Sequence, residues 1–452
     1  MRVPIRAALS GLALALAAGP LAGQAGRITF DTFSLANGLR VITSEDHSTP
    51  IVAVDVWYNV GSRDERPGRS GFAHLFEHMM FQGSAHVKKA EHFQLVQRAG
   101  GDVNGSTQED RTNYFELLPS NRLNLALWLE ADRMRSLAIT DSNFHNQRET
   151  VKEERRLRVD NQPYGRAFTD GLTLPFDSTT CFAYAHTVIG DMADLNAAQL
   201  SDVQAFFDTY YAPNNATLVV VGDFNPIELR RLVTSYFGGI PSHPAPAAVT
   251  CEYRLSPGLL RREFLDEHAN LPAVVRLYRI PDHDDADTPA LELMNTILGQ
   301  GESSRLNVSI VRREKAALFA GSGIAGNHRG PGTTFVFGVA NQGVSVDHVD
   351  SLLAAQVDTI RASGITADEL TKAKNTFRAQ FIENRETVLN KAEELHHYAM
   401  FHAVMADINT DLDRFMAVTN DDIRRVAAKY LDPANAVILV IKPVAASAGG
   451  AP

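Results

Sequence analysis

Short runs of β-branched and aromatic residues alternate along the chain with stretches of helical periodicity. Asn37-Gly38 between two apolar stretches predicts a tight turn, and Leu39 to Ile42 after it predicts a strand. Ile51 to Val60 (IVAVDVWYNV) alternates in part and predicts a second strand. Gly71 to Phe81 reads as a helix with apolar residues around its circumference, the pattern of a buried helix. Leu123 to Leu137 carries Leu123, Leu127, Ala131 and Met134 at helical spacing, and Asn143 to Val159 reads as a strongly charged helix. Ala216 to Phe224 (ATLVVVGDF) is almost continuously apolar, as a strand covered on both faces would be.

The order then recurs. Gly238 to Pro257 holds closely spaced prolines and little periodicity, which marks a linker. Beyond it come a strand at Pro272 to Tyr278, a helix at Ala290 to Leu298 and a strand at Thr333 to Val339. A long helical region is expected from Ala367 toward Val404, and Ala436 to Ile441 (AVILVI) ends this half as Ala216 to Val221 ends the first. The repetition predicts an internal duplication, with residues 26–240 and 258–444 as two related domains joined by 241–257. A length of 452 residues also exceeds what one core organises.

The two ends fall outside this scheme. Arg2 and Arg6 precede an apolar run from Ala7 to Ala18, broken by Gly19-Pro20 and followed by the small residues around Gly23-Gln24-Ala25. Residues 1–25 read as a secretory signal peptide, because the run is shorter than the ~20 residues of a membrane span. The expected mature protein is periplasmic or secreted, with no membrane insertion after cleavage. The small residues of 445–452 predict a disordered tail. A net charge of −10 without a long basic run argues against a nucleic-acid partner. Cys181 and Cys251 are too few for a thiolate metal cluster. An oxidising compartment would permit a disulfide between them, with two buried thiols as the alternative.

The sharpest chemical signal is His74-Leu75-Phe76-Glu77-His78 within a helical stretch. Residues four apart share a helical face, so two imidazoles can meet one ion. Imidazole suits zinc, whose catalytic sites keep one position open for water, and Glu77 stands close enough to take that water's proton. A third, acidic ligand is sought in Arg148 to Arg156 (RETVKEERR), where spacing alone does not choose among Glu149, Glu153 and Glu154. The His396-His397 pair and His186 read as surface or packing residues.

Gly61-Ser62 and Gly71-Phe72-Ala73-His74-Leu75-Phe76-Glu77-His78-Met79-Met80-Phe81 resemble the signature of the pitrilysin/insulinase zinc peptidases, inverzincins in which HExxH runs backwards. The resemblance continues through Ala99 to Asn104, Tyr114, Asn161 to Gly165 and Tyr211 to Ala216, and it is closest to the processing-peptidase-like branch. It implies an α+β chain of two homologous domains, each a mostly antiparallel sheet packed with helices. It implies one Zn2+ per chain on His74, His78 and Glu154, with Glu153 as the fallback, and Glu77 as general base. Some members carry a further acid where this chain has Gln147, which puts a supporting role there in doubt.

The resemblance also implies an extended peptide substrate that adds to a sheet edge along Val103 to Thr107, against Asn104, Gly105 and Ser106. From residues alone, Asn104-Gly105 reads equally as a hairpin turn. Complete members present an Arg and a Tyr from the second domain. Here the match is Val311 to Ala320 (VRREKAALFA), with Arg312 and Arg313 available and Phe319 at the tyrosine position, keeping the packing without the hydroxyl. That loss fits a heterodimer with a metal-free paralogue, a homodimer being the alternative. A non-catalytic assembly or binding subunit, as some relatives have become, is the competing function, although such chains usually lose the HxxEH residues retained here.

Overall fold

Among the described residues, eleven strands account for the apolar runs. They are β1 (Asp31–Ser34), β2 (Arg40–Glu45), β3 (Ile51–Tyr58), β4 (Asp102–Thr107), β5 (Thr112–Pro119), β6 (Ala216–Gly222), β7 (Leu260–Asp266), β8 (Ala273–Ile280), β9 (Ala317–Ala325), β10 (Gly332–Ala340) and β11 (Val437–Pro443). The computed structural model describes residues 26–253, 258–326 and 329–444. The expected signal segment and tail lie outside the described residues, as do 254–257 of the linker.

Two sheets form, with orders β1-β2-β6-β3-β5-β4 and β7-β11-β8-β10-β9. Leaving out β1, they have the same plan. β2 runs parallel to β6 as β7 runs parallel to β11, and every other neighbour is antiparallel. The duplication expected from element order is therefore present in the topology. The fold is α+β in two domains.

Each central strand is apolar on both faces because each sheet is covered twice. Along β3, Val52, Val54 and Val56 enter the main core of the first sheet with Leu75 and Phe76, while Ala53 faces the other way. On β6, Leu218 and Val220 join the first core and Val219 and Val221 the second. That second face is covered by the helix Val388–Phe401 from the other half of the chain, through Val388, Ala392, Leu395 and Tyr398. The exchange is reciprocal. Ala167 and Phe168 of the helix Gly165–Gly171 lie on the second sheet against Val275, Leu277 and Leu439.

This exchange divides the long helical region expected from Ala367 toward Val404. The chain forms Ala367–Glu383 and Val388–Phe401, because it must pass from the second sheet to the first. At the break, buried Arg385 donates to the carbonyls of Gly26 (2.9 Å) and Ile408 (2.7 Å) and lies over Phe381. Thr387 Oγ1 then accepts from the Asn390 amide and starts the next helix. At the opposite exchange, Tyr164 takes a left-handed conformation (φ 64°). Its amide donates to Asp266 and its hydroxyl to the Leu271 carbonyl, both in the second half. Cys181 and Cys251 form a disulfide, which fastens the segment before Gly190 to the linker.

Candidate metal centre

The helix Phe72–Met79 starts where Gly71 turns the chain with φ 84°. A β-carbon there would meet the Ile189 carbonyl at 2.8 Å, so the close approach needs glycine. The buried Glu65 carboxylate accepts from the amides of Gly71 (2.8 Å) and Ala73 (2.7 Å), filling the donor-rich start of the helix. His186 stacks on Phe182 and bonds Glu65 at 3.0 Å. The packing role expected for His186 thus bears directly on the helix carrying His74 and His78.

Phe72, Ala73, Leu75, Phe76 and Met79 are buried, and the same helix presents His74, Glu77 and His78 to a cavity of about 770 Å3. The helix Asp141–Arg155 brings Glu154 opposite them. Glu154 Oε2 lies 3.2 Å from His78 Nε2 and 3.7 Å from His74 Nε2, while its Oε1 meets Arg158 at 2.8 Å. Glu149 pairs instead with Lys152 and Arg148, and Glu153 with Arg156, both exposed and away from the histidines. Among the three glutamates, geometry makes the choice that spacing left open.

Two nitrogens and a carboxylate oxygen, all within 4.8 Å of one another, suit zinc. Burial, and then the charge of His78, push His74 down to about 4, so its ring is neutral and ready to donate a lone pair. Burial opposes a proton on His78, but the Glu154 bond and the Glu77 charge outweigh it and raise its pKa. The same His78 contact lowers Glu154. Gln147 Oε1 stands 3.3 Å from His78 Nδ1 and so can fix the ring with Nε2 turned to the ion. The amide takes the supporting place that the missing acid had put in doubt.

Glu77 is held separately. Thr107 on β4 donates its hydroxyl to Glu77 Oε2 at 2.6 Å. Burial raises the Glu77 pKa and the Thr107 bond only partly offsets this, which favours a base able to take and return a proton. β4 is the outer strand of its sheet, and Asn104-Gly105 lies inside it, paired with Phe115 and Tyr114, rather than at a turn. Asn104, Gly105 and Ser106 line the cavity. A β-carbon on Gly105 would sit 3.3 Å from Glu77 Cγ. Arg111 supports the strand from behind, donating to the Ser106 carbonyl at 2.8 Å and lying over Trp57.

Arg312 and Arg313 are the exception. They end the π-helical turn Asn307–Arg313 beside β9, Arg312 pairs with Glu302, and neither lines the cavity. The turn buries Ile310 and leaves both arginines exposed, away from the cavity wall formed by this chain. Phe319, expected to keep a packing role, is 62% exposed on the outer strand β9. The second half reaches the cavity through Ala325 and Thr333 instead. Glu65 and Thr107 had no signal of their own in the sequence, although Thr107 lies two residues beyond Gly105 and so on the same strand face.

Comparison with known proteins gives two matching family models: residues 40–170 match "Insulinase (Peptidase family M16)" and residues 197–377 "Peptidase M16 inactive domain". The zinc protease PqqE of Helicobacter pylori is 31% identical over 91% of this chain and 93% of that protein. A chain of Arabidopsis thaliana named as a mitochondrial-processing peptidase subunit beta is 24% identical, over 91% of this chain and 78% of its own length. A crystal structure of a Helicobacter pylori protease superimposes with a TM-score of 0.87 at 28% identity, covering 92% of this chain and all of that one. The chain belongs to the insulinase family, peptidase family M16.

Proposed function

We propose that this protein is a zinc-dependent endopeptidase that hydrolyses extended or unfolded peptides after export. The observation carrying the proposal is the meeting of Glu154 with His74 and His78 beside Glu77, on the wall of a cavity bordered by the edge strand β4. Bound zinc supplies Lewis-acid chemistry toward water and a carbonyl oxygen. Glu77 takes the proton of the attacking water as its oxygen adds to the scissile carbonyl carbon. Glu77 then delivers that proton to the amine nitrogen as the C–N bond breaks. Thr107 holds one Glu77 oxygen and leaves the other for the proton. A substrate strand along Asn104 to Ser106 is bound through main-chain groups, so many sequences are accepted.

The zinc-bearing member of a dimer is the accompanying reading for assembly. Arg312, Arg313 and Phe319 stand outside the cavity of their own chain, and Leu318 and Phe319 expose apolar surface on the edge of β9. A metal-free paralogue fits that surface better than a second copy because a paralogue can restore the missing tyrosine hydroxyl. Export to the periplasm rests on residues 1–25.

Cleavage of an unstructured peptide by the purified chain, alone and with a candidate partner, tests the function. Glu77→Gln is expected to lower turnover at least ~100-fold with zinc content unchanged. Turnover close to wild type would remove Glu77 from the chemistry, and cleavage untouched by a chelator would remove the metal.

A further inference from the structure

A second group of histidines lies outside the cavity. His283, in the loop after β8, meets His397 and His402 at the end of the helix Val388–Phe401. Ring centroids are 4.7 Å apart for His283 and His397, 5.2 Å for His397 and His402, and 5.9 Å for His283 and His402. One ligating nitrogen from each lies within 4.8 Å of the others, the same limit met by His74, His78 and Glu154. An ion with bonds of about 2.1 Å needs donors roughly 3.4 Å apart, which modest ring rotations provide.

We infer that these three imidazoles form a second metal site, for a late first-row divalent ion such as zinc, copper or nickel. The His402 side chain is 3% exposed, and its Nδ1 faces Asp284 Oδ1 at 3.1 Å, the carboxylate–histidine pairing that aims the opposite nitrogen at a metal. The other ring nitrogen of His402, Nε2, has no hydrogen-bond partner among the described residues, which is costly for a buried ring without a ligand. His283 is partly exposed, so an ion can enter from solvent. The nearby cation Arg414 is engaged by Asp411 at 2.8 Å.

The placement gives the site a purpose. The helix Val388–Phe401 lies on the first sheet, and an ion here fastens its end to the loop after β8 of the second. The metal is a clamp between the halves, distinct from the centre at His74 and His78.

Stripping the full chain with a chelator and titrating it with Zn2+ tests this, bound metal being counted by elemental analysis after gel filtration. Wild type is expected to take up two equivalents. His283→Gln with His397→Gln should take up one and keep its circular dichroism, and His74→Ala with His78→Ala should also take up one. The single His283→Gln, in a loop, should weaken the second equivalent at least tenfold even where the double variant folds poorly. Uptake of one equivalent by wild type, or of two by His283→Gln at unchanged affinity, would overturn the second site. Loss of the other equivalent would bear only on the peptidase reading.

Discussion

Gln147 shows how one atom position separates a ligand from its support. It touches no candidate ion, yet its carbonyl oxygen is within reach of His78 Nδ1 and selects which nitrogen faces Glu154. Gln147→Leu should therefore weaken zinc binding by about 10–100-fold with little change in the unfolding midpoint, measured by competition with a chromogenic chelator. An unchanged affinity would leave His78 oriented by its helix alone. Affinity should also depend on acidity. The His78 proton is held by Glu154 and Glu77, raising its pKa, and an ion must displace it. Affinity should thus fall as pH falls through that raised value, by on the order of tenfold per pH unit for one competing proton. At this scale the sequence was most informative where residues are close in the chain. His74, Glu77 and His78 could be read from helical spacing, whereas Glu154, Glu65 and Thr107 depend on contacts made across the fold. Arg312 and Arg313 stand outside the cavity, a position that matching a segment does not reveal because it does not show which side of its turn faces inward.

At the scale of elements, the apolar strands were legible and the helices covering them were not. Continuous hydrophobicity at Ala216 to Val221 implied a sheet with two covered faces, but nothing in it named the covering helix. Periodicity from Ala367 onward likewise ran straight through the turn at Asn384 to Thr387, since both helices are amphipathic and only their partners differ. The exchange makes a definite claim about stability. Leu395 belongs to the second half in sequence but is fully buried against Ile42, Ala53 and Val219 of the first sheet. Leu395→Ala should cost about 2–5 kcal/mol in urea unfolding, with hydrogen exchange rising on β3 and β6 rather than on β8 and β11. Protection lost first from the second sheet would contradict the exchanged packing. For the same reason, residues 26–253 expressed alone should expose the face around Val219 and bind a hydrophobic dye, and addition of the second half should abolish that signal.

Across the whole molecule, the halves are fastened by polar ties as well as by the exchanged helices. Arg40 on β2 donates to the Ala399 carbonyl at 3.0 Å, the Arg329 amide reaches Asp110, and Lys391 pairs with Asp46 at the start of the loop after β2. The Lys391 bond, helped by Ser48, holds Asp46 down at about 2 against its ordinary value of 3.8. A depressed carboxyl favours the folded state while it is ionised there, so this contribution is complete above about pH 4 and is lost as pH falls through about 2. Asp46→Asn should consequently lower stability at pH 6 by about 1 kcal/mol, a modest figure because the pair stands near the surface. The difference between the two proteins should shrink steadily below pH 4 and vanish once the pH is well below about 2, where wild-type Asp46 is protonated too. Comparing variant and wild type at each pH cancels the titration of all other groups, so only this tie is read. A gap as large at pH 2 as at pH 6 would mean that Asp46 acts through packing or its Ser48 contacts, and that the charge of Lys391 does not hold the exchanged helix on the first sheet.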